Sequence, residues 1–308
     1  MDFNAKIKVV GVGGSGGNAV SRMMKCGLKG VELIALNTDA QDLKKSKAHT
    51  KIRIGREITK GLGTGMDPEI GRKAAEEQKD EIKRALEGAD MVFTTCGLGG
   101  GTGSGAVLVA SEIARSMGIL TLAVVTTPFS FEGARRAEIA KESLRQLRGK
   151  VDTLIAISNN RLLSILEPKI TVDSAFWFCD ETLRQAVQGI SDLIVLPGIV
   201  NISFADVRTI MKNSGSALFG IGLAKGPERA RQAAKQALTS PLIDASCKGA
   251  KGILFNVSGQ DVSLNEIDEA AKIITQEVSQ DAKIVFGAVQ DEKLKKGEIK
   301  VTVIATGF

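Results

Sequence analysis

Between the β-branched run Met91–Thr95 and the apolar run that opens at Ala106 lies Gly97–Gly105, in which every residue but Leu98 is glycine, serine or threonine. Removing side chains from a strand-to-helix junction lets consecutive backbone N–H groups converge on one set of oxygens, a nest for an anion. A second cluster, Gly11-Val12-Gly13-Gly14-Ser15-Gly16-Gly17, sits in the same context, after the strand-like Lys6–Val12 and before the helix-like Asn18–Met24. That setting allows a phosphate to rest on a helix N-terminus. Alone, the first loop is ambiguous. An NAD-binding unit would look similar, and Asp39 falls near the distance expected of a ribose-binding carboxylate. A nicotinamide enzyme has no use for the second loop, which suits the β- and γ-phosphates of a nucleoside triphosphate. GxxxxGK[ST] occurs nowhere in the sequence, which excludes a P-loop enzyme.

Strand-like and helix-like runs alternate through the first half of the chain. Val31–Leu36 reads as strand, Ala74–Leu86 as helix, Met91–Thr95 as strand, Gly105–Met117 as helix, Leu120–Thr126 as strand, Ala134–Leu147 as helix and Thr153–Ile157 as strand. Strict alternation predicts an α/β fold with a doubly wound parallel sheet. A long helix is expected from Ser174 to about Leu193, broken by Pro197-Gly198. Beyond it the pattern is α+β: helices Val207–Lys212, Glu228–Ala237 and Leu264–Val278, and strands Ile253–Val257, Lys283–Val289 and Glu298–Ala305, the last two expected to form a hairpin. The domains implied are 1–173 for nucleotide binding, 174–206 for a central helix and its loop, and 207–308 for a smaller α+β domain.

Composition narrows the classes. In 308 residues there are 34 glycines against 6 prolines, too ordered a balance for disorder or collagen. No apolar run approaches the roughly 18 residues of a membrane span, and the N-terminal sequence has no hydrophobic signal region, so a cytoplasmic protein without direct membrane insertion is expected. Four cysteines without a CxxC spacing and a single histidine, His49, offer no soft metal cluster and suggest reduced, mostly buried thiols. The net charge of +6 is scattered, and its short lysine runs lack interleaved aromatics. Nucleic acid is therefore not expected as a partner.

Several stretches carry a resemblance. Gly99–Gly105 (GGGTGSG) looks like the tubulin-superfamily signature, and Gly11–Val20, Asn37–Ala40 (NTDA), Phe129–Gly133 (FSFEG), Val151–Ile155, Leu183–Ile194 and Val301–Phe308 together are similar to the FtsZ family of cell-division GTPases. The resemblance runs from Lys6 to Phe308. It implies GTP/GDP as ligand, Mg²⁺ on the phosphates, and a homopolymer that assembles head to tail into cytoplasmic filaments at the division site, a cytoskeleton for septation. Membrane tethers or other division proteins would be met through a tail beyond Phe308.

The resemblance also assigns roles. Gly13, Gly14, Ser15, Gly16 and Gly17 would line one side of the phosphates, and Gly100, Gly101, Thr102 and Gly103 the β- and γ-phosphate side, with Gly65 and Met66 close by. Glu132 and Arg136, one helical turn apart, would reach sugar and phosphates. Phe176 and Asp180, with Asn18, would bind guanine. A ring beside a carboxylate four residues on suits a base whose N1–H and N2 amino group are donors, although an unassigned helix would more simply use Phe176 as core and Asp180 as a surface charge. From Phe176 to about Asp192 the helix spans roughly 25 Å at about 1.5 Å per residue. The loop after it would then reach the nucleotide of a stacked copy, not its own, giving a heterologous contact and an open filament. In the family this loop completes the neighbour's active site, and Asn201, Ser203 and Asp206 are the matching positions.

Three departures stand out. Ser203 occupies a position where the family carries an aspartate, and losing a positioned acid–base group typically lowers a rate by about 10²–10⁴, so slow hydrolysis is expected. Ser203 and Asp206 also have the spacing of a capping box. Met66 and Asp67 replace a small residue and an asparagine, and Glu181 stands where an amide or aspartate is usual. Two rival readings remain: a structural filament protein with little or no GTPase, and an NAD-dependent oxidoreductase, the latter disfavoured because there is no tyrosine and no other constellation for hydride chemistry.

Overall fold

The structure, a computed structural model, describes residues 5–28, 30–165, 169–196, 198–240 and 247–308. Two compact units meet in sequence at Gln188 and Gly189. In the first, β1 (Ile7–Val12), α1 (Gly13–Lys25), β2 (Val31–Asn37), α2 (Ala40–Lys45) and β3 (Thr50–Arg53) are followed by α3 (Pro68–Glu77), α4 (Lys79–Leu86), β4 (Met91–Gly97) and α5 (Gly101–Ser116). Then come β5 (Leu120–Thr127), a single 3-10 turn (Ser130–Glu132), α6 (Ala134–Leu147), β6 (Thr153–Ser158), α7 (Asn159–Ile165) and α8 (Val172–Val195), within which the unit boundary falls.

The strands of this unit lie in the order β3-β2-β1-β4-β5-β6, all parallel. Their sequences explain the burial. Every residue of β4 except Gly97 and every residue of β5 except Thr127 is buried, as befits parallel strands covered on both faces. The core runs through Val10, Ile34, Ile52, Val92, Val107 and Val125.

Helix starts differ from the sequence reading in one informative way. α1 begins at Gly13 and α5 at Gly101, several residues earlier than expected, so both glycine clusters are first helical turns, not loops. Glycine propensity opposes this. Packing overrides it: a Cβ on Gly105 would lie 1.9 Å from the Pro68 carbonyl oxygen, one on Gly101 2.2 Å from Thr64 Oγ1, and one on Gly71 2.3 Å from the Gly101 oxygen. α3 and α5 therefore cross backbone to backbone. The expected helix Ala74–Leu86 is in fact two, broken at Gln78, whose side-chain oxygen accepts a hydrogen bond from Gly55 N–H.

In the second unit α8 is followed by α9 (Phe204–Met211), β7 (Gly215–Lys225), α10 (Arg229–Leu238), β8 (Gly252–Gly259), α11 (Leu264–Thr275), β9 (Lys283–Gln290) and β10 (Glu298–Thr306). Pro197, expected to end α8, lies outside the described residues. The expected β9–β10 hairpin does not form. β10 is inserted between β7 and β8, antiparallel to both, while β9 lies on the far side of β8, parallel to it. Burial decides this: from Val301 to Thr306 β10 is wholly buried and needs a strand on each side, whereas Lys283, Ile284 and Phe286 of β9 are exposed, as on an edge. β7 escaped sequence reading because its glycines interrupt the β pattern. One of them, Gly222, admits the Ala233 carbonyl of α10, 1.9 Å from where its Cβ would be.

Cys96, Cys179 and Cys247 are buried free thiols and Cys26 is exposed. Burial pushes Cys179 up to about 12 and Cys247 up to about 11. His49 Nδ1 accepts the Leu33 N–H at 2.9 Å. Among the described residues no helix is long and apolar enough to cross a membrane.

The backbone crossing of α3 and α5 gives a direct test. Gly105→Ala is expected to lower stability by about 3 kcal/mol, because a rigid carbonyl must move. Urea unfolding measures this, and an unchanged midpoint would mean that the two helices separate freely.

Candidate nucleotide site

In the first unit the strand order reverses direction between β1 and β4, the topological switch point at whose carboxyl end α/β sheets bind ligands. Both glycine clusters leave the sheet there. Gly13 (φ +71°) has no room for a Cβ beyond 3.0 Å from the Gly103 nitrogen, so the first turns of α1 and α5 touch. Neither helix has a side-chain cap or an acidic residue in its first turn. Four other helices carry side-chain caps, Asp39 on α2, Asp67 on α3, Ser203 on α9 and Ser263 on α11, whereas α4, α6 and α10 share the lack of one with α1 and α5. Two uncapped N-termini thus present free N–H groups and the positive ends of two dipoles to one volume. That volume is a cavity of about 420 Å³ lined by Gly14, Ser15, Asn18, Gly100, Gly101, Thr102 and Gly103 on this side. Thr102 Oγ1 lies 2.7 Å from Thr38 Oγ1 and 3.4 Å from Thr64 Oγ1, clustering hydroxyls beside the α5 terminus.

The other end of the cavity is built by α8 and the 3-10 turn. Phe176 stands edge-on to Phe129 and Phe131, at 5.4 and 6.4 Å, and those two rings stack at 4.9 Å. Asp180 is buried, accepts a 3.2 Å hydrogen bond from Ser15 Oγ, and has Arg22 Nε 3.6 Å from its Oδ2. Burial raises its carboxyl to about 6, against the lowering influence of Arg22 and Ser15. Glu132 accepts from Phe129 N–H at 2.8 Å and pairs with Arg136 at 3.0 Å, which fixes the Arg136 guanidinium at the rim.

The structure therefore brings together Gly14, Ser15, Asn18, Gly100, Gly101, Thr102, Gly103, Glu132, Arg136, Phe176 and Asp180. Gly13, Gly16, Gly17, Gly65 and Met66 are not in the lining. Gly13 and Gly16 are packing glycines, the latter with the Thr95 oxygen 2.5 Å from where its Cβ would be, and Gly65 and Met66 have positive φ in the loop before α3. Asp67, the unexpected carboxylate of that loop, is turned to the N-terminus of α3, where Oδ1 accepts from Glu69 N–H at 2.8 Å. Asn201, Ser203 and Asp206 belong to the second unit and do not line the cavity.

Sequence reading missed Thr64, Thr126, Pro128, Cys179 and Asn159. Asn159 is the most telling, since it is buried and its Oδ1 has no partner among the described residues. A buried carbonyl facing a cavity without a donor is an acceptor for a ligand. The only sequence signal was its place directly after a buried parallel strand.

Asp180 supplies a test of the site's energetics. Its carboxyl is raised from 3.8 to about 6, so the native state binds the extra proton between those values and stability falls as pH rises through them. Asp180→Asn should then raise the stability of the nucleotide-free protein at neutral pH by about 1–3 kcal/mol and flatten that decline. Thermal unfolding across the acid range reads both, and a less stable variant would show that the carboxylate supports the fold.

Comparisons with known proteins agree with this geometry. Residues 6–167 match the Tubulin/FtsZ family, GTPase domain, and residues 215–308 match the FtsZ family, C-terminal domain. An FtsZ dimer from M. jannaschii, solved empty, is 44% identical with a TM-score of 0.95, the alignment covering 100% of this chain and 89% of that one. CetZ1 from Haloferax volcanii, solved as a GDP-bound monomer, is 20% identical with a TM-score of 0.85 over 98% of this chain and 94% of that one, a likeness of fold. These matches remove the nicotinamide reading of the first glycine cluster, and the carboxylate it relied on, Asp39, is spent on capping α2 through Gln41 and Asp42 N–H. With two uncapped helix ends on a nucleotide-sized cavity and both halves of the chain accounted for, the protein belongs to the FtsZ family of the tubulin/FtsZ GTPases.

Proposed function

We propose that this protein binds GTP in the cavity of its first unit, assembles head to tail into filaments that serve cell division in the cytoplasm, and hydrolyses GTP between subunits. The observation that supports this reading is a cavity of about 420 Å³ between two uncapped helix N-termini, at whose α1–α5 end the nearby carboxylates Asp39 and Asp42 are already hydrogen-bonded. The phosphates would lie on the N–H groups of α1 and α5. The guanine edge would donate to Asp180 and to the orphaned Asn159 oxygen, with Phe176 against the ring. Carboxylates near the phosphate end are committed: Asp42 accepts from Asn37 Nδ2 at 2.8 Å and Asp39 caps α2. Among the described residues no group of three His, Cys, Asp or Glu could hold a metal ion. A Mg²⁺ would therefore rest chiefly on phosphate oxygens and water, where it would offset developing charge.

The catalytic base would come from another copy. In the second unit the loop before α9 is held rigidly. Gly198 N–H donates to Asn201 Oδ1 at 2.6 Å, and Val200 forms a β-bridge to Ala288. Ser203 and Asp206 make a full capping box, Asp206 Oδ2 accepting from Ser203 N–H at 3.1 Å and Oγ at 2.5 Å. Asp206 is exposed, and the bonds of its capping box reach Oδ2, so that Oδ1 would hold a water for attack on a neighbour's nucleotide. The dimer in which the M. jannaschii FtsZ was solved supports self-association.

The capping box also supports slow turnover. Ser203 brings no charge and its hydroxyl is already given to Asp206, so one acidic group would do what two do in the family. A filament in which GTP serves mainly as interface glue is the second reading favoured by the same bonds.

Light scattering and phosphate release with GTP and Mg²⁺ across protein concentration test this. Release should appear only above a critical concentration, fall by about 10²–10⁴ in Asp206→Asn, and rise in Ser203→Asp. Release proportional to concentration from the lowest value would place catalysis within one subunit. Assembly without release in any of the three proteins would establish the glue reading.

A further inference from the structure

Ser15, Asn18 and Arg22 follow one another at helical spacing along one face of α1. The first two line the cavity. Arg22 lies just past them, its guanidinium carbon 5.0 Å from the centroid of the Trp177 ring and its Nε 3.6 Å from Asp180 Oδ2. That Nε is buried and has no hydrogen-bond partner among the described residues. Arg22 is thus held by an aromatic face while its charge is directed at a carboxylate it does not quite hydrogen-bond.

The placement matters because of what Asp180 has to do. To accept from two donors on a guanine edge it must be ionised and fixed in orientation, yet its burial opposes the charge. Several groups face it. From α1 come the Ser15 hydroxyl and Arg22. From α8 come Cys179, whose thiol is neutral, and Glu181, which Arg184 holds through two hydrogen bonds. From the 3-10 turn and α6 come Glu132 and Arg136, paired with each other. Arg184 and Arg136 are committed to their glutamates, and Glu132 and Glu181 add negative charge nearby. Arg22 is the cation among these that is left to act on Asp180.

We propose that Arg22, seated on the Trp177 ring, is a positioning residue for base selection, holding Asp180 charged and oriented for the N1–H and N2 amino donors of guanine. This rests on the reading of Asp180 as the base-binding group. Without Arg22 only the Ser15 hydroxyl offsets the burial of Asp180, which then stays protonated to higher pH. A neutral carboxyl presents an O–H where guanine also presents donors, so the preference for guanine weakens near neutrality and returns in mild base, when the carboxyl ionises.

The test is calorimetric titration of the full chain with GDP and with IDP, whose base lacks the N2 amino group, from about pH 6.5 to about pH 8. Phosphates and sugar are common to both, so the affinity ratio isolates the base. The unaltered protein should keep a GDP preference that is nearly flat above about pH 7. In Arg22→Gln the preference should drop by about tenfold near pH 7 and recover toward pH 8, with Arg22→Lys restoring much of it. A loss in Arg22→Gln that is the same at every pH, or no loss, overturns the proposal, and circular dichroism of both variants identifies a folding defect. Asp180→Asn separates the two layers. If it keeps the GDP preference, the base-binding reading itself fails. If it loses the preference while Arg22→Gln behaves as the unaltered protein, only the role of Arg22 fails.

Discussion

Backbone N–H groups left without partners are the constraint around which the first unit is organised. A helix N-terminus normally finds a side-chain cap or an acidic residue, and several helices of this chain do. α1 and α5 forgo both, and the parallel strand order sets their ends side by side. Glycine is required at these ends not for flexibility but for thinness, since the two termini and the loop before α3 approach within backbone contact. An anion would complete what the fold leaves open.

The Asp180 end of the cavity works by the opposite logic. There the chain buries a carboxylate, which opposes folding, four residues along α8 from Phe176, itself packed edge-on to Phe129. Such strain is tolerable in a binding site because the ligand supplies the missing donors. The same reasoning applies to Asn159, whose unpartnered oxygen is an acceptor awaiting a donor. On the proposed reading, phosphate affinity and base selection would be built from different materials, main chain at one end and titratable side chains at the other.

Most of this was legible in the sequence where the signal is local. Alternating strand and helix runs, both glycine clusters and the ends of α6 follow from residue type and spacing. What escaped depends on distant packing. No local pattern says that glycines at 101 to 105 are helical, because the reason is the α3 backbone lying against them. The β9–β10 pairing failed for a similar cause: a polar turn between two strands signals a hairpin, but the burial of β10 on both sides could be satisfied only by β7 and β8. Asp67 stood out in the sequence as a departure from the family's asparagine, and it is a helix cap, a role its position before Pro68 could have suggested. For the site, residues within the glycine clusters and on α8 were readable, while Asn159 and Thr64 come from loops whose course only the fold defines.

The bridge between Val200 and Ala288 has a consequence for safety. β9 is an edge strand with exposed Ile284 and Phe286, and an open edge is a template on which any extended chain can add itself. Ile199 and Val200 N–H both donate to the Ala288 oxygen, and Ala288 N–H donates to Val200 O. The chain thereby seals part of its own margin. For a protein proposed to assemble with copies of itself, that seal would narrow the ways of sticking: stacking through a chosen face stays open, while strand-by-strand growth on β9 meets an edge already taken at Ala288.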